Sequence, residues 1–67
     1  MNSNEGARQR YLSLATAIRI EAIRLETRAR ADAGRKEIDA DRVRQIAALL
    51  VAAQTFDILA AEREQTR

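Results

Sequence analysis

Carboxylates gather near the middle of the chain, where their spacing suggests cation binding or helix capping. Glu37, Asp39 and Asp41 fall within five consecutive positions, and carboxylate oxygens are the ligands that a hard cation such as Ca²⁺ takes. A calcium-binding loop also needs a glycine at its sharp turn and a bidentate glutamate at its end, and both are missing here. Capping of a following helix explains Asp39 and Asp41 better, because an aspartate there faces unpaired backbone N–H groups. We therefore predict no metal and no cofactor.

Catalytic chemistry has few other groups to use. The sequence contains no histidine and no cysteine, which removes the commonest general base, the thiolate nucleophile and the usual zinc ligands. Hydroxyl groups, carboxylates and the single lysine, Lys36, remain, but no nucleophile stands at a suggestive spacing from an acid or base. No glycine-rich phosphate loop is present. The sequence therefore predicts no catalytic residues and a protein that is not an enzyme.

Arginine dominates the basic residues, and four arginines align on one predicted helix face. At about 100° per residue they fall within roughly 40° of one another: Arg10, Arg24, Arg28 and Arg35. Such a stripe could bind an acidic protein, follow a phosphate backbone, or simply be solvated and laced with ion pairs. The net charge is only +2, and the sequence has only two aromatic residues on which bases could stack. A nucleic acid is therefore the less favoured partner.

Two long helices joined by one turn must position these groups. Helix-forming residues prevail and proline is absent; Gly34 is suited to end the first helix and Asp39 to cap the second. We predict helix 1 at about 5–33, a turn at 34–39 and helix 2 at about 40–64, an all-α antiparallel hairpin. Asn2 and Glu5 also have capping-box spacing at the start.

Helix 2 carries more apolar surface than one neighbouring helix can cover. Helix 1 has a single apolar stripe, with alanines at 15, 22 and 29. Helix 2 has two: one runs through Val43, Leu50 and Ile58, the other through Leu49 and Phe56. We expect the first to face helix 1 and the second to be left for a partner, giving a homodimeric four-helix bundle. The residues predicted for self-association are Leu49, Val51, Ala53, Phe56 and Leu59.

Asp57 lies inside the most apolar part of helix 2. In an antiparallel hairpin with its turn near 36–37, facing positions sum to about 73, which places Asp57 near Thr16 and Arg19. An unpaired carboxylate in an apolar setting is costly. We therefore predict that Asp57 forms a structural polar pair with Arg19, or else with a hydroxyl such as that of Tyr11 or Ser13, and that this contact fixes the register of the two helices.

The remaining predictions concern function and location. The chain lacks a recognisable signal peptide, and its apolar run, 46–61, is short for a bilayer and contains Asp57, so we expect a cytoplasmic protein with no membrane association. We predict a small protein-binding regulator, such as an inhibitor, adaptor or chaperone-like protein. Alternatives are an RNA- or DNA-binding dimer and a structural subunit of a larger assembly. The residues predicted to contact an outside partner are Arg10, Ile20, Arg24, Arg28 and Arg35.

Overall fold

The protein is a hairpin of two long helices. The computed structural model describes the backbone of residues 3–65 and the side chains of residues 4–64. Helix α1 spans Ser3–Ala33 and helix α2 spans Ala40–Gln65, and the two pack against each other along their length. The predicted all-helical hairpin is confirmed. The predicted capping box of Asn2 with Glu5 lies partly outside the described residues.

Gly34 ends α1 in the way its position predicts. Its φ of +63° lies in the left-handed region, which glycine adopts without the steric cost that a Cβ atom imposes. The Gly34 N–H donates to the carbonyl oxygen of Arg30 over 3.1 Å, and the Lys36 N–H donates to that of Ala33 over 3.0 Å. These bonds satisfy carbonyls that the helix end would leave unpaired.

The start of α2 is fixed by groups on both sides of the turn. Asp39 directly precedes the first helical residue, and its carbonyl oxygen accepts a hydrogen bond from the Val43 N–H over 3.0 Å. Arg42 reaches back across the turn and donates to Asp32 Oδ2 over 2.7 Å. Asp41, in the first turn of α2, pairs with Arg44 one turn later. The turn is therefore held by local bonds rather than by a buried cluster.

The core of the hairpin is a line of small side chains, which we call the alanine seam. Each of its members is 3% exposed or less: Ala15, Ala22 and Ala29 of α1 and Ala53 and Ala60 of α2. Alanines that recur every seven residues let two helices approach closely. No large side chain among the described residues is fully buried. The seam is therefore well packed but contributes little apolar area.

Larger side chains border the alanine seam. Tyr11 and Phe56 stack with their ring centroids 5.9 Å apart and their planes 21° from parallel, within the range of favourable aromatic pairs.

The hairpin as a whole is a rod of 51 × 15 × 12 Å with a radius of gyration of 15.4 Å. A compact domain of this length has a radius of gyration of about 11 Å. The hairpin is thus much more extended than an ordinary domain.

Candidate interaction surfaces

The stripe of α2 that faces α1 is the opposite of the one we predicted. Leu49 and Phe56 are partly buried and Ala53 is fully buried against α1, whereas Val43 and Leu50 are exposed. The reason is side-chain size. Alanines of α1 need small residues opposite them, and Ala53 and Ala60 provide these, while the centre of the other stripe is Gln54, whose amide would be buried without a partner.

The residues predicted for self-association are therefore divided between two surfaces. Ala53 lies inside the alanine seam, and Leu49, Phe56 and Leu59 are partly buried. Val51 is 61% exposed on the outer side of α2. A second copy could touch Ala53 only if the hairpin opened, whereas Val51 is accessible to a second copy on the folded hairpin.

The apolar surface that remains open on α2 is a continuous stripe, which we call the outer stripe. All its members are exposed: Val43, Ala47, Leu50, Val51, Gln54, Ile58 and Ala61. The stripe follows helical spacing, since its members recur three or four residues apart. Four large aliphatic side chains in one such stripe form the kind of exposed patch that marks an interaction site.

Residues of α1 border the outer stripe. In two antiparallel helices, residues displaced in the same angular sense from the shared face lie on the same side of the hairpin. Ile23, which is 62% exposed, lies by this geometry on the same side as Leu50, about as far from the turn. Leu14 lies on the other side, with the stacked rings of Tyr11 and Phe56. The exposed apolar surface is therefore concentrated on one side of the rod.

Arg19 and Asp57 form an ion pair at the edge of the outer stripe. Arg19 Nη1 donates to Asp57 Oδ1 over 3.4 Å, and Arg19 Nη2 donates to Asp57 Oδ2 in a second, shorter bond. The two side chains are 44% and 40% exposed. The hydrogen bond to Asp57 raises the pKa of Arg19 above its ordinary value, desolvation opposes this rise, and the charge of Asp57 adds to it. The pair joins α1 to α2 across 38 residues of sequence.

Thr16, the other residue predicted to lie near Asp57, is bonded within its own helix. Its hydroxyl donates to the carbonyl oxygen of Leu12 over 3.0 Å, and the hydroxyl of Thr55 does the same to Val51 over 2.9 Å. Both hydroxyls are thus occupied one turn back along their own helices. Arg19 is the residue of α1 that Asp57 contacts.

The predicted arginine stripe is shorter than its sequence spacing suggested. Arg10, Arg24 and Arg28 are exposed on α1, but Arg35 lies in the turn, because α1 ends at Ala33. Arg24 is 3.9 Å from Glu21, close to the limit for an ion pair. Among the described residues, Arg10 and Arg28 have no salt-bridge partner. Exposed Ile20 lies on the same outer surface of α1, so this surface combines guanidinium groups with an aliphatic side chain.

Two carboxylates near the turn, Asp32 and Asp41, are held in ion pairs of their own. Asp32 pairs with Arg42 and Asp41 pairs with Arg44. Within residues 4–64, no group of three or more carboxylate, imidazole or thiol side chains is arranged to hold a metal ion. In the part of the chain that the structure describes, Asp32 and Asp41 therefore make contacts across the turn and at the start of α2.

Helix α2 extends beyond the apolar run 46–61 at both ends. Ala40–Glu64 has the length and composition of a helix that can cross a membrane, although core helices of soluble proteins meet the same criterion. Only 11% of its most apolar stretch is buried inside the hairpin. The apolar surface of α2 is therefore not accounted for by contact with α1.

The sequence contained a signal that identifies the outer stripe. The stripe with a polar residue at its centre is the poorer match for the alanines of α1, and Gln54 distinguishes it from the stripe centred on Ala53.

Comparison of the chain with protein-family models, with curated proteins and with solved structures gave no match.

Proposed function

We propose that the chain is a small non-enzymatic protein-binding regulator that works as a homodimer of hairpins, with four helices in all. The observation that carries this proposal is the contrast between core and surface. The core consists of five alanines, while Leu50, Val51, Ile58 and Ile23 are about half exposed or more. Burying a large aliphatic side chain contributes about 1.5–3 kcal/mol, so a partner that covers this surface would stabilise the chain substantially.

The size of the chain supports the same proposal. Domains below about 70 residues gain only a few kcal/mol from their core and commonly add disulfides, a metal or a partner subunit. With no cysteine and no histidine in the sequence, association is the simplest of these additions. Two hairpins that bury their apolar sides against each other would form a four-helix bundle.

The binding role falls to the outer surface of α1. In a bundle closed through α2, this surface would stay open, with Arg10, Arg24 and Arg28 beside Ile20. Arginine is enriched in protein interfaces because its guanidinium group combines hydrogen bonding with apolar contact. Arg10 and Arg28, unpaired among the described side chains, are free to bind carboxylates. An acidic surface on another protein is the partner that this chemistry fits best.

The homodimer is tested by analytical ultracentrifugation with parallel circular dichroism over a range of concentrations. We expect a dimer at micromolar concentration and a loss of helicity on dilution, because the alanine seam alone is a small core. A monomer that keeps its full helicity and melts cooperatively at nanomolar concentration would contradict the proposal.

The partner surface is tested by capturing lysate proteins on the immobilised chain. The variant Arg24→Glu/Arg28→Glu reverses two charges on α1, and Arg63→Glu reverses an exposed charge on α2 as the control. We expect a captured protein to be lost with the double variant and kept with the control. Capture of RNA or DNA that weakens steeply with salt would instead favour the nucleic-acid alternative.

A further inference from the structure

The outer stripe is symmetric about Gln54. Leu50 and Ile58 lie four residues before and after it, and Ala47 and Ala61 lie seven residues before and after it. In two antiparallel copies of α2 that cross at Gln54, Leu50 of one copy would lie against Ile58 of the other. Ala47 would likewise lie against Ala61. The stripe is therefore complementary to itself in the way that a two-fold symmetric interface requires.

The outer stripe also repeats the construction of the alanine seam. Its central line contains Ala47 and Ala61 with Gln54 midway between them, each seven residues apart. Large side chains border this line, Leu50 on the side near α1 and Val51 on the side away from it. Small residues at seven-residue spacing with larger ones beside them already let α1 approach α2 closely. A second α2 can approach on the same principle.

The exposed area of the hairpin matches what a stable dimer needs. The chain has an accessible surface of 5372 Å², whereas a compact monomer of 7.5 kDa exposes about 4,200 Å². The excess is roughly 1,200 Å². A standard interface buries about 800 Å² on each partner. An interface of standard size with a second copy would remove most of that excess.

We propose that two copies pair through antiparallel α2 helices around a two-fold axis that passes beside Gln54, with the two Gln54 side chains facing each other. This inference rests on the homodimer of the proposed function and adds the surface, the direction and the register. A carboxamide group both donates and accepts hydrogen bonds, so two copies of Gln54 can satisfy one another. A single polar residue in an apolar helix contact specifies register at some cost in stability.

Disulfide cross-linking tests the register directly, because the natural chain has no cysteine. A disulfide needs Cα atoms about 4.4–6.8 Å apart, so in a symmetric dimer only a residue beside the axis can bond to its own copy. We expect Gln54→Cys to form a covalent dimer at least tenfold faster than Ala48→Cys, an exposed position on the other flank of α2, because the dimer raises its effective concentration. Equal rates for the two variants would overturn the proposed register.

A spin-label measurement tests the direction without touching the interface. Lys36, in the turn, is 18 residues from Gln54, so labels on Lys36→Cys would lie roughly 50 Å apart in the antiparallel dimer at 1.5 Å per residue. Parallel pairing would bring the same labels close together, and a distance below about half the expected value would overturn the proposal.

The outcomes separate this inference from the homodimer itself. A dimer in the ultracentrifuge that shows neither the Gln54→Cys cross-link nor the long label distance would leave the homodimer standing and remove the α2 contact. A monomer would remove both the homodimer and the α2 contact.

We also expect Leu50→Glu to weaken the dimer far more than Leu14→Glu, which places the same charge on the opposite side of the rod. A chain that is monomeric in buffer but sediments with vesicles of anionic phospholipid would assign the outer stripe to a membrane surface instead.

Discussion

Arg19 and Asp57 connect the two helices through two hydrogen bonds from one guanidinium group to both oxygens of one carboxylate. This paired geometry is the strongest that an arginine and a carboxylate adopt. Both side chains are nevertheless partly exposed, and water screens an exposed ion pair. The contact therefore serves the alignment of α1 and α2 more than their stability.

We predict a modest and shared effect when either member of this pair is removed. Arg19→Gln and Asp57→Asn should each lower the melting temperature by a few degrees. The double variant should lower it by clearly less than the sum of the two single effects. Thermal melting at one protein concentration measures all three variants. Arg30→Gln is the control, because Arg30 pairs with Glu26 inside α1 over 2.8 Å and its loss should change the melting temperature little. Fully additive losses would show that Arg19 and Asp57 act independently.

The alanine seam should reject larger side chains. Ala22 is 2% exposed, so Ala22→Leu would force α1 and α2 apart and should lower the free energy of unfolding by about 1–3 kcal/mol. Ala17→Leu places the same side chain on the exposed surface of the same helix and should change stability little. Chemical denaturation of both variants provides the measurement. Equal stabilities would mean that the seam is looser than its burial indicates.

The two glycines should respond in opposite directions to the same substitution. A Cβ at Gly6 would lie 3.8 Å from Arg10 Nη1, an ordinary contact, so Gly6→Ala should stabilise α1 by about 0.5–1 kcal/mol. A Cβ at Gly34 meets nothing within 4 Å, but the φ of +63° is unfavourable for alanine. Gly34→Ala should therefore destabilise by about 1–2 kcal/mol.

Gly34→Asn separates backbone strain from other effects of changing the turn. Asparagine tolerates the left-handed conformation better than alanine, so this variant should be more stable than Gly34→Ala. The same denaturation experiment compares them. If both variants lose the same amount, the cost does not come from φ.

The stacked rings should make a measurable contribution to the hairpin. Phe56→Ala removes the contact with Tyr11 and part of the buried border of the seam, so we expect a loss of about 2 kcal/mol or more in the free energy of unfolding. Phe56→Leu keeps an apolar side chain there and should lose about half as much. Fluorescence of the single tyrosine follows the unfolding of each variant. A Phe56→Leu variant that is as stable as the parent would show that the aromatic contact adds nothing.

The sequence predicted the architecture because local signals determined it. Gly34 and Asp39 carried the information on where one helix ends and the next begins, and helix formers filled the rest of the chain. Summing facing positions about the turn also brought Arg19 and Asp57 together, since antiparallel helices leave few choices of register. These are properties of short stretches and of simple geometry.

The choice between the two stripes of α2 could not be made from hydrophobicity. Leu50 and Leu49 are equally apolar, and the fit of Ala53 to the alanines of α1, together with the polar Gln54 in the other stripe, decided which one faces inward. That fit depends on the distance between two helices, which a pattern of apolar positions does not contain. Arg35 falls outside the arginine stripe for a different reason. The predicted stripe continued the helical spacing beyond Ala33, the last residue of α1.

A contact made only of methyl groups accepts very few substitutions. A leucine core can be varied in both directions of size, but at Ala15, Ala29 and Ala60 nearly every codon change enlarges the side chain, and glycine costs helix propensity. In a randomised library selected for folding, these positions should therefore return alanine almost alone, with serine or glycine as rare survivors. The bordering positions of Leu49 and Ile18 should accept a mixture of aliphatic residues. Such a selection would reveal, without a structure, which surfaces of the two helices touch.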